Sequence, residues 1–313
     1  KAQYGTDVMK VLVMGGSGFI GSHVADALTG AGYSVTVFDL RPSDYLREDQ
    51  TFMQGNMLDR AQVADAVAGH DIVYNLAGIP HLDVGLHDPV GTVEQNILGT
   101  VISLEASREA GIQRYIYASS VYVYSVGGSF YRCSKQAAEL YVEEYERLHG
   151  MDFTILRYGS VYGPRADDYN YVRVLLKQAL LERRIIAHGA GENDVREYIN
   201  VRDAARSSVS ILSEDFRNER VILSGHHPMR RKDLYRMITE IVGHDVNVET
   251  HPDHREDEIQ SNPWHYSVTP YNFQPKSAKK LVNNPHLDMG QGLLECLEEI
   301  HNAENTSIEE VNV

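Results

Sequence analysis

A tyrosine and a lysine four positions apart are the side chains of this sequence best suited to chemistry. The motif Tyr131-x-x-x-Lys135 lies in a segment whose apolar pattern predicts a helix from Tyr131 to Leu148. Residues at i and i+4 share one helix face, and a nearby ammonium favours the phenolate form of tyrosine. The phenolate can then take the proton of a substrate hydroxyl while a hydride leaves the carbon that bears this hydroxyl. Ser120, at the end of a predicted strand, can hydrogen-bond that same oxygen.

A glycine motif near the start of the chain predicts where the hydride goes. Gly15-x-x-Gly18-x-x-Gly21 follows the predicted strand Lys10–Met14 and opens the predicted helix Phe19–Gly30. Glycine permits the tight turn and the close approach of the backbone to a pyrophosphate. The helix N-terminus adds free N–H donors and a positive dipole. The two motifs together predict redox chemistry on an alcohol carbon with a bound dinucleotide.

One acidic residue discriminates between the two nicotinamide cofactors. Asp39 ends the second predicted strand, 18 residues after Gly21. Its carboxylate suits the ribose hydroxyls and repels a 2′-phosphate, which favours NAD. Arg41 is the opposing signal, because an arginine there can receive the extra phosphate. We therefore expect NAD and keep NADP as the alternative.

Composition narrows the function classes. The chain has 313 residues and a formal net charge of −15, which argues against a nucleic-acid partner. The two cysteines, Cys133 and Cys296, form neither a disulfide framework nor a zinc motif, and a reduced cytoplasmic setting fits them. The histidines are scattered without metal-ligand spacing, so we expect no metal site. No apolar run reaches the length of a membrane span and no signal peptide is visible, so we expect no membrane partner.

The elements that must position these groups alternate between strand and helix in the first half of the chain. The predicted strands are Lys10–Met14, Ser34–Leu40, Thr51–Met53, Asp71–Leu76, Gln113–Ser119 and Asp152–Arg157. The predicted helices are Phe19–Gly30, Asp59–Val67, Val90–Ala110 and Tyr131–Leu148. Such alternation implies right-handed βαβ units and an α/β fold with a doubly wound parallel sheet.

After Gly163-Pro164 the alternation weakens. Helices are predicted over Tyr169–Arg184, from Asn200, and over Arg231–Gly243 and Gly290–His301, with a return to the sheet at Val221–Ser224 and a loop over His251–Gln274. We expect a frayed end after Asn302. Because Met9-Lys10-Val11 looks like a natural start, we expect residues 1–8 to be an extension.

These motifs together resemble the extended short-chain dehydrogenase/reductase superfamily, specifically its NAD-dependent sugar-nucleotide epimerase/dehydratase branch. Besides the glycine loop and the Tyr131/Lys135 pair, the resemblance rests on Leu76-Ala77-Gly78, Ser119–Tyr124 (like SSxxVYG), Arg157–Arg165 (like LRxxNVYGPR) and Arg196–Asp203 (like RDFIxVxD). It implies a Rossmann-type domain over residues 9–163 plus about 196–224. It also implies a smaller C-terminal α/β substrate domain over about 164–195 and 225–301, with residues 302–313 as an extension.

The resemblance also implies the site residues. It makes Ser120, Tyr131 and Lys135 the catalytic set, with the last two also touching the cofactor. The further cofactor-binding residues that it implies are Gly15, Ser17, Gly18, Phe19, Ile20, Gly21, Asp39, Arg41, Asn56, Met57, Leu76, Ala77, Gly78, Asn96, Tyr158 and Val161. The implied substrate-binding residues are Ser120, Ser160, Arg165 and Arg196, with Arg196 the foremost phosphate ligand. Arg255, in the loop predicted at His251–Gln274, is a further candidate for the substrate pocket, with a surface position as the alternative.

Three departures from the family pattern bear on the reaction. The 4,6-dehydratases and related decarboxylases carry an acid one or two residues after the catalytic Ser or Thr, where this chain has Val121 and Tyr122. Elimination needs such an acid or base, so its absence at these two positions argues against a dehydratase. The family asparagine before VYGP is Ser160 here. The link from Ser120 to Tyr131 is shorter than in relatives, which implies a more open site or an unusual substrate.

The leading hypothesis is therefore a NAD-dependent sugar-nucleotide epimerase that inverts C4 of a UDP-hexose through a 4-keto intermediate. The alternatives are a nucleotide-sugar dehydratase whose acid lies elsewhere, a keto-sugar reductase or dehydrogenase, and a cofactor-sensing binding protein on the same scaffold. In this family the helices predicted at Val90–Ala110 and Tyr131–Leu148 pair between subunits. The resemblance thus implies a homodimer.

Overall fold

The structure is a computed structural model and describes residues 8–125, 127–188, 192–243, 245–251, 269 and 278–311. The strands are β1 Lys10–Met14, β2 Ser34–Asp39, β3 Thr51–Gln54, β4 Ile72–Asn75, β5 Arg114–Ser120, β6 Phe153–Tyr158, β7 Ser160–Tyr162, β8 Arg184–His188, β9 Val195–Asn200, β10 Glu219–Leu223, β11 Pro228–Arg230, β12 Asn247–His251 and β13 Lys279–Lys280. The helices are α1 Phe19–Gly30, α2 Arg60–Val67, α3 Leu82–His87, α4 Pro89–Thr92, α5 Gly99–Ala110, α6 Ser129–His149, α7 Tyr171–Glu182, α8 Val201–Ser210, α9 Arg231–Val242 and α10 Met289–Val311.

The main sheet is parallel throughout and, within the described residues, has eight strands in the order β13-β10-β6-β5-β4-β1-β2-β3. The order reverses between β1 and β4, which makes that point the topological switch of a doubly wound sheet. Ligands of such sheets bind outside the carboxyl ends of the strands at the switch. The predicted α/β fold with a Rossmann-type sheet is confirmed.

Both faces of the sheet are covered, as its apolar strands require. On one face, residues of α2, α5 and α6 pack over the sheet, with Leu104 and Val142 fully buried. On the other face, α1 and α8 cover the sheet, with Leu28 and Ala204 fully buried. This double burial fixes the strand ends from which the loops of the site project.

The smaller lobe has its own core and its own strands. A three-stranded sheet has the order β11-β9-β7, and β8 pairs with β12. The lobe's core is formed by residues of α7, α9 and α10, among them Leu176, Leu234 and Leu293. Because β7 begins two residues after β6 ends, the smaller sheet starts directly beside the carboxyl end of the main one.

Several predicted boundaries were wrong. The helix predicted over Val90–Ala110 contains a π-helical turn at Val93–Leu98, and such turns frequently mark functional sites. The fraying predicted after Asn302 is replaced by helix to Val311, since no glycine or proline interrupts that segment. The short strands β7, β8, β9, β11, β12 and β13 were not predicted. Of the loop predicted at His251–Gln274, the structure describes only His251, which is the last residue of β12, and Thr269. Of the extension predicted at residues 1–8, residues 1–7 also lie outside the described residues.

Candidate active site

The loop between β1 and α1 is too tightly packed for side chains at its glycines. Gly15 has a φ of +75°, and a Cβ there would lie 2.6 Å from the backbone N of Ala77. A Cβ on Gly21 would lie 2.1 Å from the carbonyl oxygen of Gly15. Both positions therefore require glycine. A side chain at Gly15 would collide with the loop after β4, and a side chain at Gly21 would collide with the turn that precedes α1.

The same loop presents donors that suit a phosphate. Gly18 is the N-cap of α1, and within the described residues no side chain caps this helix end. The Ser17 hydroxyl is buried and has no hydrogen-bond partner in that part of the chain. An uncapped helix N-terminus beside an unsatisfied hydroxyl fits a pyrophosphate oxygen. Phe19 and Ile20 form the first turn of this helix.

Asp39 lies at the carboxyl end of β2, next to the glycine loop. Its carboxylate accepts hydrogen bonds from the backbone N–H groups of Ser17 at 3.0 Å and Leu40 at 2.7 Å. The carboxylate is thereby fixed beside the phosphate loop, where a ribose of a dinucleotide would follow the phosphates. Arg41 is exposed. The residues therefore fit NAD.

The loop after β4, Leu76 to Gly78, is held by a buried asparagine. The Asn96 side-chain oxygen accepts from the N–H of Ile79 at 2.7 Å. Its side-chain nitrogen donates to the Ile79 carbonyl at 3.1 Å and to the Ser134 hydroxyl at 3.0 Å. Asn96 lies in the π-helical turn and joins it to both the β4 loop and α6. Its amide is used by the protein itself, which indicates a positioning role.

The two residues predicted beside the adenine differ in exposure. Asn56 is exposed, and its side-chain oxygen accepts from the N–H of Leu58 at 2.9 Å. Met57 is buried in the core, where its side chain occupies the space that a Cβ on Gly99 would need. The structure therefore directs the Met57 side chain towards α5.

The predicted catalytic residues lie together at the carboxyl end of β5 and the start of α6. Ser120 is buried, and its hydroxyl accepts from the N–H of Tyr122 at 3.3 Å. The Lys135 ammonium donates to the carbonyl of Ala118 at 2.8 Å and lies 5.7 Å from the centre of the Tyr131 ring. Burial lowers the pKa of Lys135 to about 8, against an opposing effect of the Glu139 carboxylate. We call these three residues the catalytic wall.

Two aromatic rings flank this wall. The Tyr122 ring lies edge-on to the Tyr131 ring, with 6.1 Å between their centres. Tyr117 lies behind Lys135, 5.1 Å from the ammonium to the ring centre. Burial raises the pKa of the Tyr117 phenol well above its usual range, so it stays neutral. The positions where the dehydratase pattern has an acid are thus occupied by the buried Val121 and by the aromatic Tyr122.

Behind the wall lies a buried ion pair that was not predicted from the sequence. Glu139 accepts from the Arg157 guanidinium at 2.9 and 2.6 Å and from the Ser119 hydroxyl at 2.6 Å. The Arg157 side chain is 1% exposed and that of Glu139 is 6% exposed. Arg157 also donates to the Tyr124 hydroxyl. The available signal was the spacing of four from Lys135, which places Glu139 on the catalytic face of α6.

The residues predicted to bind substrate are spread over two regions. Arg196 is buried in β9, and Ser160 in β7 pairs with that strand opposite Tyr198. Arg165 instead forms an ion pair with Asp26 of α1 at 2.8 Å and stacks on the Tyr45 ring at 4.4 Å. The structure thus does not bring Arg165 together with Arg196. The predicted Arg255 lies outside the described residues.

The two remaining predicted cofactor contacts follow β6. The Tyr158 hydroxyl is 2.6 Å from the Ser208 hydroxyl of α8, so the tip of this side chain is held in the core. Burial raises the pKa of this phenol above its usual range. Val161 is partly buried and packs against the same core.

A second charged cluster lies where the smaller sheet begins. The Asp194 carboxylate lies 3.8 Å from the Arg196 guanidinium and 3.5 Å from that of Arg231. The Arg231 guanidinium also stacks on the Tyr171 ring at 5.0 Å. We call Asp194, Arg196 and Arg231 the arginine cluster. The sequence did not distinguish Arg231 from its neighbours, because it lies in a basic run at the start of the predicted helix Arg231–Gly243.

Comparison with known proteins gives a consistent result. Residues 11–223 match the family model described as the NAD dependent epimerase/dehydratase family. The chain is 26% identical over 311 residues to a putative UDP-glucose 4-epimerase of Methanocaldococcus jannaschii, covering 90% of this chain and 95% of that protein. It is 25% identical over 325 residues to a dTDP-glucose 4,6-dehydratase of Streptomyces niveus, covering 93% and 92%. The crystal structure of UDP-glucose 4-epimerase from Thermotoga maritima with UDP-glucose superposes with a TM-score of 0.79 at 25% identity, covering 94% and 99%.

Proposed function

Since this chain belongs to the NAD dependent epimerase/dehydratase family, we propose that it inverts C4 of a UDP-hexose through a 4-keto sugar. The observation that carries the proposal is the catalytic wall, where a phenol, a serine hydroxyl and a buried ammonium converge without a carboxylate at positions 121 and 122. Epimerisation needs one proton acceptor and donor at one oxygen, whereas elimination needs a further acid or base. Similarity to a UDP-glucose 4-epimerase over most of both chains supports the same reaction.

The protein's own part in the reaction is proton transfer and positioning. We infer that Tyr131 takes the proton of the C4 hydroxyl and later returns it, while the Ser120 hydroxyl hydrogen-bonds the same oxygen. The Lys135 ammonium, held by the Ala118 carbonyl, favours the phenolate of Tyr131. NAD, when bound, would supply the hydride acceptor and donor at C4. The sugar must turn in the site between the two transfers, which is what inverts the centre.

The residues that would hold NAD come from the loops at the topological switch. The uncapped N-terminus of α1 and the Ser17 hydroxyl would take the pyrophosphate. The Asp39 carboxylate would take a ribose and disfavour a 2′-phosphate. We propose that residues 9–163 with about 196–224 bind NAD, and that about 164–195 and 225–301 bind the nucleotide sugar.

We further propose a homodimer. Two neighbouring helical stretches leave apolar side chains exposed: Val90, Val93 and Leu98 on one, and Phe130, Leu140 and Leu148 on the other. Exposed apolar patches of this kind mark interaction surfaces. A second copy would cover them through paired helices. Sedimentation should give twice the chain mass of 35.2 kDa, and a mass of one chain would contradict the dimer.

The net charge and the two cysteines support our proposals about the cellular compartment and about other partners. The net charge of −15 supports a protein without a nucleic-acid partner. Cys133 and Cys296 are both free, which supports a reducing cytoplasm. Among the described residues no helix is both long and apolar enough to cross a membrane.

Proton NMR of the purified protein with UDP-glucose, UDP-N-acetylglucosamine or UDP-glucuronate, at substoichiometric NAD, tests the reaction. We expect a new anomeric signal from the C4-inverted sugar, approaching a constant ratio without net NADH. A 6-deoxy methyl signal would show loss of water and replace the epimerase with a dehydratase. Conversion only when cofactor is consumed in proportion to product would identify a reductase.

A further inference from the structure

The arginine cluster is built by strand pairing in the smaller sheet. β11 and β9 are antiparallel, with Met229 opposite Arg196 and Arg230 opposite Val195. Arg231 follows β11 directly, and its N–H donates to the Asp194 carbonyl at 3.0 Å. This register brings two guanidiniums close to the same oxygen of one carboxylate, although 35 residues separate the two arginines in sequence.

The two guanidiniums of this cluster lie 3.8 and 3.5 Å from the Asp194 carboxylate, and both belong to side chains that are largely buried. The side chains of Arg196 and Arg231 are only 7% and 15% exposed. Guanidiniums stay charged at any ordinary pH, so burial in this cluster favours an anion nearby.

Arg231 also has an unused donor. Its Nε is buried and has no hydrogen-bond acceptor among the described residues. A buried donor without a partner costs about 1–3 kcal/mol, so an acceptor is expected there. The Tyr171 ring supports the guanidinium from one side, and the Tyr171 hydroxyl is itself fixed at 2.7 Å from that of Tyr235. The guanidinium is thus held in place with part of its donor set available.

We propose that Arg231 is a second guanidinium for the diphosphate of the substrate, acting beside Arg196. This role rests on the proposed nucleotide-sugar substrate. Diphosphate oxygens match the chemistry of the cluster, because a guanidinium donates two parallel hydrogen bonds to phosphate and the ligand's charge exceeds that of the Asp194 carboxylate. Arg231 then contributes to ground-state binding of the nucleotide and takes no part in proton transfer at C4.

Calorimetric titration of the NAD-loaded protein with UDP tests this role. We expect R231M to weaken UDP binding about 10- to 100-fold, the range for losing a hydrogen bond to a charged group. Methionine keeps an unbranched apolar stem against Tyr171. Uridine, which lacks phosphate, should bind the variant and the wild type alike. KM for the UDP-sugar should rise while kcat stays within about threefold, because the interaction is the same in ground and transition states.

Matched variants keep the result interpretable. Arg236 lies on the same helix and is 78% exposed, so R236Q should leave UDP affinity unchanged. R231K keeps the positive charge but loses the planar set of guanidinium donors, so it should bind UDP several-fold more weakly than the wild type. This variant provides the test if R231M does not fold. UDP affinity equal to wild type in R231M, or in R231K where only that variant folds, overturns the role of Arg231.

The remaining outcomes separate this inference from the proposed function. If R196Q weakens UDP binding and R231M does not, only the role of Arg231 is overturned. If R231M weakens binding of UDP-glucuronate and not of UDP, the guanidinium recognises a sugar carboxylate and the diphosphate assignment is overturned. If the wild type binds neither UDP nor any UDP-sugar, the nucleotide-sugar function itself fails, and this inference fails with it.

Discussion

Glu139 and Asp194 each face arginine side chains, but the two carboxylates are held in different ways. Glu139 receives three hydrogen bonds of 2.6 to 2.9 Å and is almost fully buried, next to the catalytic wall. Asp194 lies 3.5 and 3.8 Å from its two guanidiniums and is partly exposed. The Glu139 carboxylate thus has its hydrogen bonds made within the protein, whereas in the arginine cluster the Arg231 Nε has no acceptor among the described residues.

The difference follows from what each region must do. A proton-transfer site needs groups fixed to a fraction of an ångström before the substrate arrives, so its supporting hydrogen bonds are already made. A site that recognises a charged ligand must leave donors unsatisfied until the ligand supplies acceptors. By this reasoning the main sheet holds the preformed hydrogen bonds behind the wall, and the smaller sheet holds the Arg231 Nε, which has no acceptor among the described residues.

Removing the phenol of the wall should have the largest effect. We expect Tyr131→Phe to lower kcat by roughly 100- to 10,000-fold, because a positioned acid–base group contributes about that much. Stability and UDP affinity should stay close to wild type, since the ring is kept. Initial rates by NMR with UDP-glucose measure the loss.

Tyr141 provides the matched control for that variant. It lies on the same helix, α6, and is 45% exposed. Tyr141→Phe should leave kcat unchanged. A Tyr131→Phe variant that keeps wild-type kcat would contradict the proposed role of the wall and revive the binding-protein interpretation.

Removing the carboxylate of the Glu139–Arg157 pair should lower the stability of the protein. Glu139→Gln leaves the buried Arg157 guanidinium without its counter-charge, and we expect the free energy of unfolding to fall by about 3–5 kcal/mol. Urea denaturation at pH 7 measures this. Glu144→Gln, which removes the exposed partner of Arg147 on the same helix, should give no measurable change. Equal curves for the two variants would show that burial does not distinguish these pairs.

The sequence predicted the first half of the molecule well because its signals are local. A strand, a glycine turn and a helix are encoded within consecutive residues, and the pairs Gly15/Gly21 and Tyr131/Lys135 follow from helix and turn geometry alone. Their proximity at one edge of the sheet follows from parallel strand order. Asp39 was predicted by the same logic, as the end of the next strand.

The smaller lobe was not predictable in this way. β9 and β11 are short, carry charged residues and pair antiparallel with each other, so neither shows an apolar run. The nearness of Arg231 to Arg196 depends on that pairing, which leaves no periodic trace in the sequence. For Arg165 the motif predicted a substrate contact, and the structure adds an ion pair with Asp26 and stacking on the Tyr45 ring, which no local sequence signal indicated.

The pH dependence should separate the wall from the arginine cluster. Lys135 has a pKa of about 8, lowered by burial, so its ammonium is present below that pH and is lost as the pH rises through it. Because the charge supports the Tyr131 phenolate, kcat/KM should fall above pH 8 and be down by up to about tenfold at pH 9. UDP affinity should stay constant from pH 7.5 to 9.5, since guanidiniums do not titrate there. A parallel decline of activity and UDP binding would mean that Lys135 is not the group responsible.

The smallest effect on stability is expected when the carboxylate of the arginine cluster becomes an amide. Asp194→Asn makes the same chemical change as Glu139→Gln, but the ion contacts that it removes are 3.5 and 3.8 Å long and partly exposed. We expect a smaller fall in the free energy of unfolding than for Glu139→Gln, because at these distances neither guanidinium makes the short charge-assisted hydrogen bonds that Glu139 accepts. The same urea experiment compares the two variants directly. A loss as large as that of Glu139→Gln would show that the two guanidiniums depend on Asp194 as strongly as Arg157 depends on Glu139, and the contrast between the two carboxylates would fail.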